Sequence, residues 1–409
     1  MNRPLLALPV LFLLLVALWP AIPSAASPLQ GLVSIGGADT DSSSNAFTSG
    51  FDKLPFGSER PAARTDLRLD LQRGSISWNM VADADTRRSS VVDLQEAWIG
   101  WNPVPDSPWR IRTRAGAFFP TMSVETGYGQ VAWNAERTVS GSAINSWIAE
   151  EIRILGAEVT LQWRGALVGS PHTLTTRAGI FGGNDPAGTQ MAWRGWHLAN
   201  RTTGLFQKLR LPDLPVYRWR GALPQQTRDV QLFREIDGRP GIYGSLGYAF
   251  EDRFDVEVMR YDNRGDPVSL KNGQYSWRTD FDHVSLRLRL SESTDINAQV
   301  MRGRTLMGDV AVDTRFSSWF LLLSHHFAKG TATLRYDDFE THDHDSLPND
   351  PNGENGHAWA IAWAQPLREN WLWLIEAQRI KSVREARALI GESPKQTDSR
   401  ITAELRWSF

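Results

Sequence analysis

Apolar and polar residues alternate with a period of two along much of this chain. The alternation is clearest in Arg64–Leu71, Arg110–Phe119, Ala157–Arg164 and His283–Ser291. Because successive side chains of a strand point to opposite faces, each of these segments has one apolar and one polar face. Helical periodicity is almost absent, so the pattern predicts an all-β fold with many short strands.

The connections between the strands fall into two classes that alternate along the chain. Long polar connections cover residues 38–63, 120–153, 183–203, 222–240, 262–276, 341–356 and 382–397. Short ones lie between them, as at Gln72–Gly74 and Glu251–Asp252. A transmembrane, up-and-down antiparallel β-barrel has short turns on its periplasmic side and longer loops outside.

We therefore predict such a barrel over residues 27–409, with about 18 strands, or 16 as the alternative count. The two counts differ because Leu29–Gly37 and Gly204–Leu211 alternate weakly. A water-soluble β-sandwich or propeller also has alternating strands. However, a sandwich has no regular succession of short and long loops, and no blade-length repeat indicates a propeller.

The N-terminal residues predict a secretory signal peptide. Arg3 precedes an apolar stretch from Leu5 to Trp19, and the small residues of Pro20–Ala26 follow. This pattern predicts cleavage near Ala26, so that residues 1–26 are removed. A permanent membrane helix is the alternative, but the stretch is short for a helix that spans a bilayer.

Composition narrows the class of protein further. Hydrophobic residues make up 41% of the chain, and 44 basic residues nearly balance 46 acidic ones, which excludes a disordered chain and a nucleic-acid-binding surface. Cysteine is absent, and tryptophan is abundant at 18 residues. So many tryptophans are typical of sugar-binding β-proteins, and also of the aromatic girdles at the two surfaces of a membrane.

The alternation continues to the last residue of the chain. In residues 399–409, SRITAELRWSF, the apolar set ends with Trp407 and Phe409. This ending resembles the last strand of Gram-negative outer-membrane porins, in which a terminal aromatic residue serves as the assembly signal. Residues 96–125, EAWIGWNPVPDSPWRIRTRAGAFFPTMSVE, resemble relatives of the phosphate-selective porin O/P family.

The resemblance implies a porin in the outer membrane of a Gram-negative bacterium, a passive diffusion channel for small hydrophilic solutes. Its implied partners are outer-membrane lipid, lipopolysaccharide and the barrel-assembly machinery, and trimers are common in the family, so a homotrimer is one expectation. No cofactor, metal or catalytic centre is expected. The alternative is a barrel without channel function, either a rim enzyme or a structural or adhesive surface protein.

If the apolar faces contact lipid, the polar faces line the lumen. Roughly thirteen arginines then face inward against six acids. The arginines are Arg68, Arg110, Arg112, Arg114, Arg164, Arg177, Arg218, Arg220, Arg287, Arg289, Arg335, Arg400 and Arg406. Such an excess predicts a preference for anions. Pairing of these arginines with acids across strands is the alternative.

Three further regions carry candidate functions or positions. By the same resemblance, residues 120–153 take the place of the third outside loop, which folds into the barrel of general porins and narrows it; a position over the mouth of the barrel is the alternative. Its charged residues are Glu125, Glu136, Arg137, Glu150, Glu151 and Arg153. Arg302 and Arg304 continue the apolar phase of their strand, which places them outside near the extracellular rim, unless the register slips. The loop with His342–Asp345 offers carboxylates and imidazoles as ligands for a divalent ion, but the sequence favours a solvated loop without a metal.

Overall fold

The computed structural model describes residues 28–41, 51, 53, 62–88, 91–126, 131 and 133–409. Within these residues, sixteen strands form one closed antiparallel barrel. Strands β1 to β16 are Leu29–Thr40, Ala62–Arg73, Ile76–Asp85, Val92–Trp101, Trp109–Phe118, Ile154–Arg164, His172–Gly182, Gly241–Phe250, Phe254–Asp262, Arg278–Ser291, Thr294–Met307, Val312–Phe327, Gly330–Asp343, Glu354–Arg368, Trp371–Arg384 and Lys395–Ser408. The predicted signal peptide lies outside the described residues.

The barrel closes between its first and last strands. β1 pairs with β16 in an antiparallel register that begins with Leu32 opposite Ser408. The pairing reaches the last residue, because Phe409 and Gly31 exchange backbone hydrogen bonds of 2.9 and 3.0 Å. A Cβ atom on Gly31 would lie 2.1 Å from the Phe409 ring, so the ring covers this glycine. The terminal residue therefore belongs to the seam of the barrel.

The outer wall is apolar at mid-height. Aliphatic side chains that are 40–62% exposed point outward from seven strands between β5 and β14, namely Ile111, Leu161, Leu246, Val258, Val300, Leu321 and Ile361. Trp78, Trp101, Trp109 and Trp407 share this face close to the short turns. An apolar band with an aromatic border is the surface that outer-membrane barrels present to lipid.

The strand count is sixteen, the lower of the two counts that the sequence allowed. The difference arises in residues 183–240, which form a single connection between β7 and β8. In the segment Gly204–Leu211, Leu209–Arg210 pairs only with Asp229–Val230, in a small separate hairpin. The apolar residues of this segment pack inside the barrel, since the backbone N–H of Leu205 donates to Leu94 O on β4 at 2.8 Å. The alternating apolar residues of this segment belong to an interior core, and the segment is not a lipid-facing strand.

The two α-helices of the described residues lie in loops. Helix α1 is Ala143–Glu151, and helix α2 is Thr189–Trp193. No helix in the described part of the chain is long and apolar enough to cross a membrane.

Candidate functional site in the barrel lumen

Loop 3, residues 119–153, folds into the barrel at the end that carries the long connections. It is the third connection on that side, because residues 86–91 form the second. All nine residues of α1 are buried, and the side chain of Ser142 caps the helix by accepting a hydrogen bond from the backbone N–H of Asn145. Loop 3 therefore lies among inward-facing side chains of the wall.

Loop 4, residues 183–240, also enters the barrel and is longer than loop 3. Trp147 of α1 packs edge-on against Trp196 of loop 4, with 6.1 Å between ring centroids. Trp193 and Trp277 meet in the same way at 5.0 Å. These four tryptophans are at most 1% exposed. Part of the high tryptophan content therefore serves an interior aromatic core, which the sequence did not predict.

Arg335 anchors loop 3 to the wall. It points inward from β13 and is completely buried. Its guanidinium donates to Asp337 at 2.8 Å and to Glu125 of loop 3 at 3.1 Å. It also donates to the backbone and side-chain oxygens of Ser140 at 2.6 and 2.9 Å. Asp337 in turn accepts the backbone N–H of Ala143 at 3.0 Å, at the start of α1. One guanidinium thus lies between two buried carboxylates and binds both.

Three other inward side chains hold the same loop. Glu376 on β15 accepts the backbone N–H groups of Val139 and Ser140 at 3.0 and 3.2 Å. Gln299 on β11 accepts from the Asn145 side chain at 2.6 Å. Arg406 on β16 donates to the backbone oxygen of Ala135 at 2.7 Å. Loop 3 is therefore fixed to four strands of the wall.

Glu150 joins loop 3 to loop 4. Its carboxylate contacts Arg194 and lies 3.3 Å from His197 Nε2 and 3.5 Å from Arg201 Nε. Burial alone would raise the pKa of Glu150, but these basic neighbours hold it well below its usual range. Burial lowers the pKa of His197 to about 4, so this imidazole is neutral at pH 7. The junction is a buried carboxylate between guanidinium groups.

Glu151 makes a second link between the same loops. It accepts the backbone N–H groups of Gly188 and Gln190 at 3.2 and 2.8 Å, at the start of α2, and also the indole N–H of Trp147. Burial raises the pKa of Glu151 to about 7 despite these donors. Adjacent glutamates of α1 thus have pKa values shifted in opposite directions.

Arg153 ends loop 3 in an unusual environment. Its guanidinium lies between two phenyl rings, 4.3 Å from the centroid of Phe119 and 4.6 Å from that of Phe233. It is 1% exposed, and none of its nitrogens has a hydrogen-bond partner among the described residues. Burial lowers its pKa to about 10. The aromatic faces stabilise the cation by cation–π attraction.

The arginines of β5 point into the lumen, with Ile111 on the opposite, outer face. Arg114 donates to Glu158 of β6 at 2.9 Å and to the backbone oxygen of Phe119 at 3.1 Å. Arg110 donates to Asn102 of a short turn at 3.0 Å. Arg112 lies between them on the same face. The row runs from the short-turn end of the barrel to the base of loop 3.

Other predicted lumen residues take different places. Arg287 points inward and donates to the backbone oxygen of Ser123 in loop 3 at 3.2 Å. Arg289 contacts Asp252 near a short turn. In loop 3, the backbone N–H of Glu136 donates to Glu125 O at 3.2 Å, and Arg137 contacts Asp295 on β11.

The prediction for Arg218 and Arg220 is wrong. Both lie in loop 4 and not on a barrel strand, because residues 183–240 form one connection and Pro215–Tyr217, just before Arg218, is a short 3-10 helix. Arg218 pairs with Asp213 of the same loop at 3.1 Å, and both side chains are half exposed.

Many acids of the lumen were missed from the sequence. The further inward-facing acids are Asp66, Asp83, Asp85, Asp93, Glu96, Asp295, Glu354, Glu376 and Asp398. Several pair with arginines, as Arg64 does with Asp66 at 2.8 Å and Arg88 with Asp83 at 2.6 Å. The alternation in ADAD, residues 82–85, was the available signal, but alanine is a weak marker of a lipid-facing position.

A polar vestibule lies on the short-turn side of loop 3. Gln162, Thr175 and Arg287 contribute to its lining, as does the ion pair of Arg177 with Glu257. Ser123 and Val124 of loop 3 form its inner end. Side chains of positive and negative charge therefore surround the part of the lumen that leads from the short turns to loop 3.

One group of carboxylates meets the geometric requirement for a metal ion in the described residues. Oxygens of Asp185, Glu235 and Asp237 in loop 4 lie within 4.8 Å of one another. These oxygens accept hydrogen bonds from the backbone: Glu235 accepts from the N–H of Gly183 at 2.8 Å, and Asp237 accepts from the N–H of Arg239 at 2.8 Å. The group therefore serves to hold loop 4 together.

No protein-family model matches the chain, and no curated protein matches it in sequence. Solved structures do match its shape. The outer membrane channel DcaP of Acinetobacter baumannii has a TM-score of 0.55 and 10% identity, over 93% of this chain and 96% of that one. An anion-selective porin from Comamonas acidovorans has a TM-score of 0.52 and 11% identity, over 93% and 98%. OmpT of Vibrio cholerae, in its trimer form, has a TM-score of 0.51 and 7% identity, over 93% and 98%. This chain has the fold of the outer-membrane porins, and its closed barrel points to the outer membrane of a Gram-negative bacterium.

Proposed function

We propose that the protein is a passive diffusion channel for small hydrophilic solutes and that it prefers anions. The observation that carries the proposal is the inward row of Arg110, Arg112 and Arg114 beside loop 3. Guanidinium groups stay ionised throughout the physiological pH range, and arginines that line a pore favour anions. Transport is diffusion down a gradient and needs neither cofactor nor turnover.

Two likenesses support this assignment. A solved structure with the same fold is described as an anion-selective porin. Residues 96–125, which include the arginine row, resemble the phosphate-selective porin O/P family. We assign loop 3 the role of the constriction, because it crosses the lumen from β5 to contacts on β11, β13 and β15.

The preference for anions is local and moderate. Acids line much of the lumen, and Glu158 compensates part of the charge of Arg114. Arg110, Arg112 and Arg114 nevertheless follow one another on one strand, so their potentials add beside β5. Salt screens such a field over about 10 Å at 0.1 M.

Reversal potential in a salt gradient tests the proposal. A variant with Arg110→Gln, Arg112→Gln and Arg114→Gln should shift the reversal potential toward cation preference, most at low salt. The matched control is Arg302→Gln with Arg304→Gln, which removes charge from the outer wall and should leave the reversal potential unchanged. An unaltered reversal potential of the folded triple variant would refute the anion preference. Absence of conductance in the wild-type protein would refute the channel.

The resemblance also supplies proposals about assembly. We propose that Trp407 and Phe409 form the segment that the barrel-assembly machinery binds and that the protein forms a homotrimer. Chemical cross-linking in native membranes, with the masses of the products, tests the oligomeric state.

A further inference from the structure

The vestibule on the short-turn side of loop 3 contains a recess in the barrel wall. Gly247 and Ala249 face the lumen from β8, and neither has a side chain that reaches beyond a Cβ atom. A Cβ atom on Gly247 would lie 3.5 Å from Glu257 Oε2 and 3.6 Å from Thr175 Cβ, so neighbouring side chains border the space above this glycine but do not fill it. The recess and its opening to the lumen enclose about 590 Å³, which is enough room for a small solute.

The recess lies at the same height in the barrel as one end of the arginine row on β5. Inward-facing residues that are in register across six strands connect the two places. They run from Arg110 through Gln162, Thr175, Gly247 and Glu257 to Ser285. A solute beside Arg110 therefore reaches the recess by moving sideways along the wall.

The charged side chains that line the recess are balanced in sign among the described residues. They are Asp255 and Glu257 on β9, Arg177 on β7 and Arg287 on β10. Arg177 and Glu257 form an ion pair with each other. Asp255 and Arg287 are thus the remaining acid and base, and the recess as a whole favours neither simple anions nor simple cations.

Asp255 and Arg287 lie directly opposite each other on neighbouring strands but do not form an ion pair. They are in register between β9 and β10, a position in which opposite charges ordinarily stabilise a sheet. The guanidinium of Arg287 instead donates to the backbone oxygen of Ser123 in loop 3 at 3.2 Å. Asp255 has no hydrogen bond or ion pair to any described residue. Loop 3 thus holds two opposite charges apart, and both border the same recess.

We propose that the recess binds small zwitterionic solutes, of which amino acids are the simplest class. The ammonium group donates to the carboxylate of Asp255, and the carboxylate of the solute accepts from the guanidinium of Arg287, so that both contacts are charge-assisted hydrogen bonds. In an α-amino acid the two groups are attached to one carbon atom, which suits side chains that start about 5 Å apart on adjacent strands. Thr173, Thr175 and Ser285 line the recess and offer hydroxyl groups to the rest of the solute.

Binding in the recess adds a class of solute to the proposed channel, and its role in transport rests on that proposed function. Zwitterions carry no net charge, so the arginine row on β5 does not concentrate them. The recess supplies the contact to the ammonium group that this row lacks, because Asp255 is an acid without a partner among the described residues.

Binding of L-glutamate and glutarate to the purified, detergent-solubilised protein tests the recess. Both probes carry two carboxylates on a five-carbon chain, and only glutamate has an ammonium group. Attraction by the arginine row alone would favour glutarate, which has the larger negative charge. The recess should reverse this order, so that glutamate binds about tenfold more tightly, which corresponds to about 1.4 kcal/mol for the added charge-assisted hydrogen bond. Saturation-transfer NMR titrations would measure both dissociation constants.

Asp255→Asn is the main variant, because it removes the carboxylate without removing a contact among the described residues. It should abolish the preference for glutamate and leave the binding of glutarate unchanged or tighter. The matched control is Asp70→Asn, which removes an inward acid that pairs with Arg68 on β2 and should keep the preference. Gly247→Val fills the recess without a change of charge and should weaken the binding of glutamate.

Two results would overturn the proposal. Glutarate that binds the wild-type protein as tightly as glutamate, or more tightly, would assign the binding to the arginine row, whether or not the variants fold. A full preference for glutamate in folded Asp255→Asn would place the ammonium group at another site. Conductance separates these failures from a failure of the channel: a protein that conducts without preferring glutamate keeps the channel and lacks the recess site, whereas one that prefers glutamate without conducting keeps the site and is no channel.

Discussion

Replacement of Arg335 by glutamine should release loop 3 from the barrel wall and increase the conductance of the channel. Arg335 is the only described side chain that donates to Glu125 and Asp337 together, and both acids hold the start of α1. Glutamine is too short to reach both carboxylates and carries no charge. The variant therefore leaves two buried acids without their cation.

The size of the effect follows from these contacts. Removing one partner of a buried ion pair costs about 3–5 kcal/mol, because the remaining charge is left uncompensated. At about 1.4 kcal/mol per factor of ten, the population with loop 3 detached should rise by about two to four orders of magnitude. Glu376, Gln299 and Arg406 still hold the loop at Ser140, Asn145 and Ala135, so detachment should concern mainly the start of α1, where Glu125 and Asp337 accept backbone N–H groups.

Single-channel recording in a planar bilayer measures the result. The Arg335→Gln variant should show a larger or more variable unitary conductance than the wild type. The control is Arg164→Gln, an inward arginine whose side chain donates, among the described residues, only to the backbone oxygen of Ser107 at a short turn, at 3.3 Å. Its conductance should stay close to that of the wild type. A folded Arg335→Gln barrel with unchanged, steady conductance would refute the assignment of Arg335 as the anchor of loop 3.

Three further predictions concern the seam and the junction of the loops. Phe409→Asp should lower the folded yield in a heat-modifiability assay. The substitution removes the ring over Gly31 and puts a charge beside lipid, at a cost of up to about 1 kcal/mol near the interface. A normal folded yield would contradict this prediction. Acidification from pH 7 to 4 should increase amide hydrogen exchange in residues 197–205. The pKa values of His197 and Glu150 are lowered in the folded protein, so they give stability that is present at neutral pH and lost as the pH falls. His197→Gln should weaken this pH dependence, and equal exchange profiles of the variant and the wild type would contradict it. Glu151→Gln should raise the melting temperature at pH 8 but not at pH 4. The pKa of Glu151 is raised to about 7 in the folded protein, so its contribution to stability is lost as the pH rises through that value. A lower melting temperature of the variant at pH 8 would contradict the raised pKa of Glu151.

Much of the barrel could be predicted because lipid and water impose opposite demands on the two faces of each strand. The inward position of Arg110–Arg114 and the outward position of Arg302 and Arg304 both follow from this contrast. The same signal failed at Gly204–Leu211, where apolar residues face an interior core. Alternation shows that a segment has two faces, and it does not show which medium each face contacts.

The contacts within the lumen could not be predicted from local pattern. Arg335 bonds to Glu125, which lies 210 positions away in the sequence, and Arg406 to Ala135, which lies 271 positions away. Such pairs depend on how far loop 3 enters the barrel, and the path of a loop follows from the sum of its contacts. The sequence therefore shows how many arginines face inward but not which of them are paired.

The number of inward arginines does not by itself determine the ion selectivity of the pore. Where an arginine and an acid lie side by side on the wall, as Arg177 and Glu257 do, their fields largely cancel a few ångströms into the lumen. Charges of one sign that follow one another along a single strand do not cancel in this way, since each adds to the potential of the next. Selectivity should therefore depend on the places where charges of one sign follow one another along a strand, whereas the paired residues serve to hold loops 3 and 4. The row of Arg110, Arg112 and Arg114 on β5 is such a place on the inner wall.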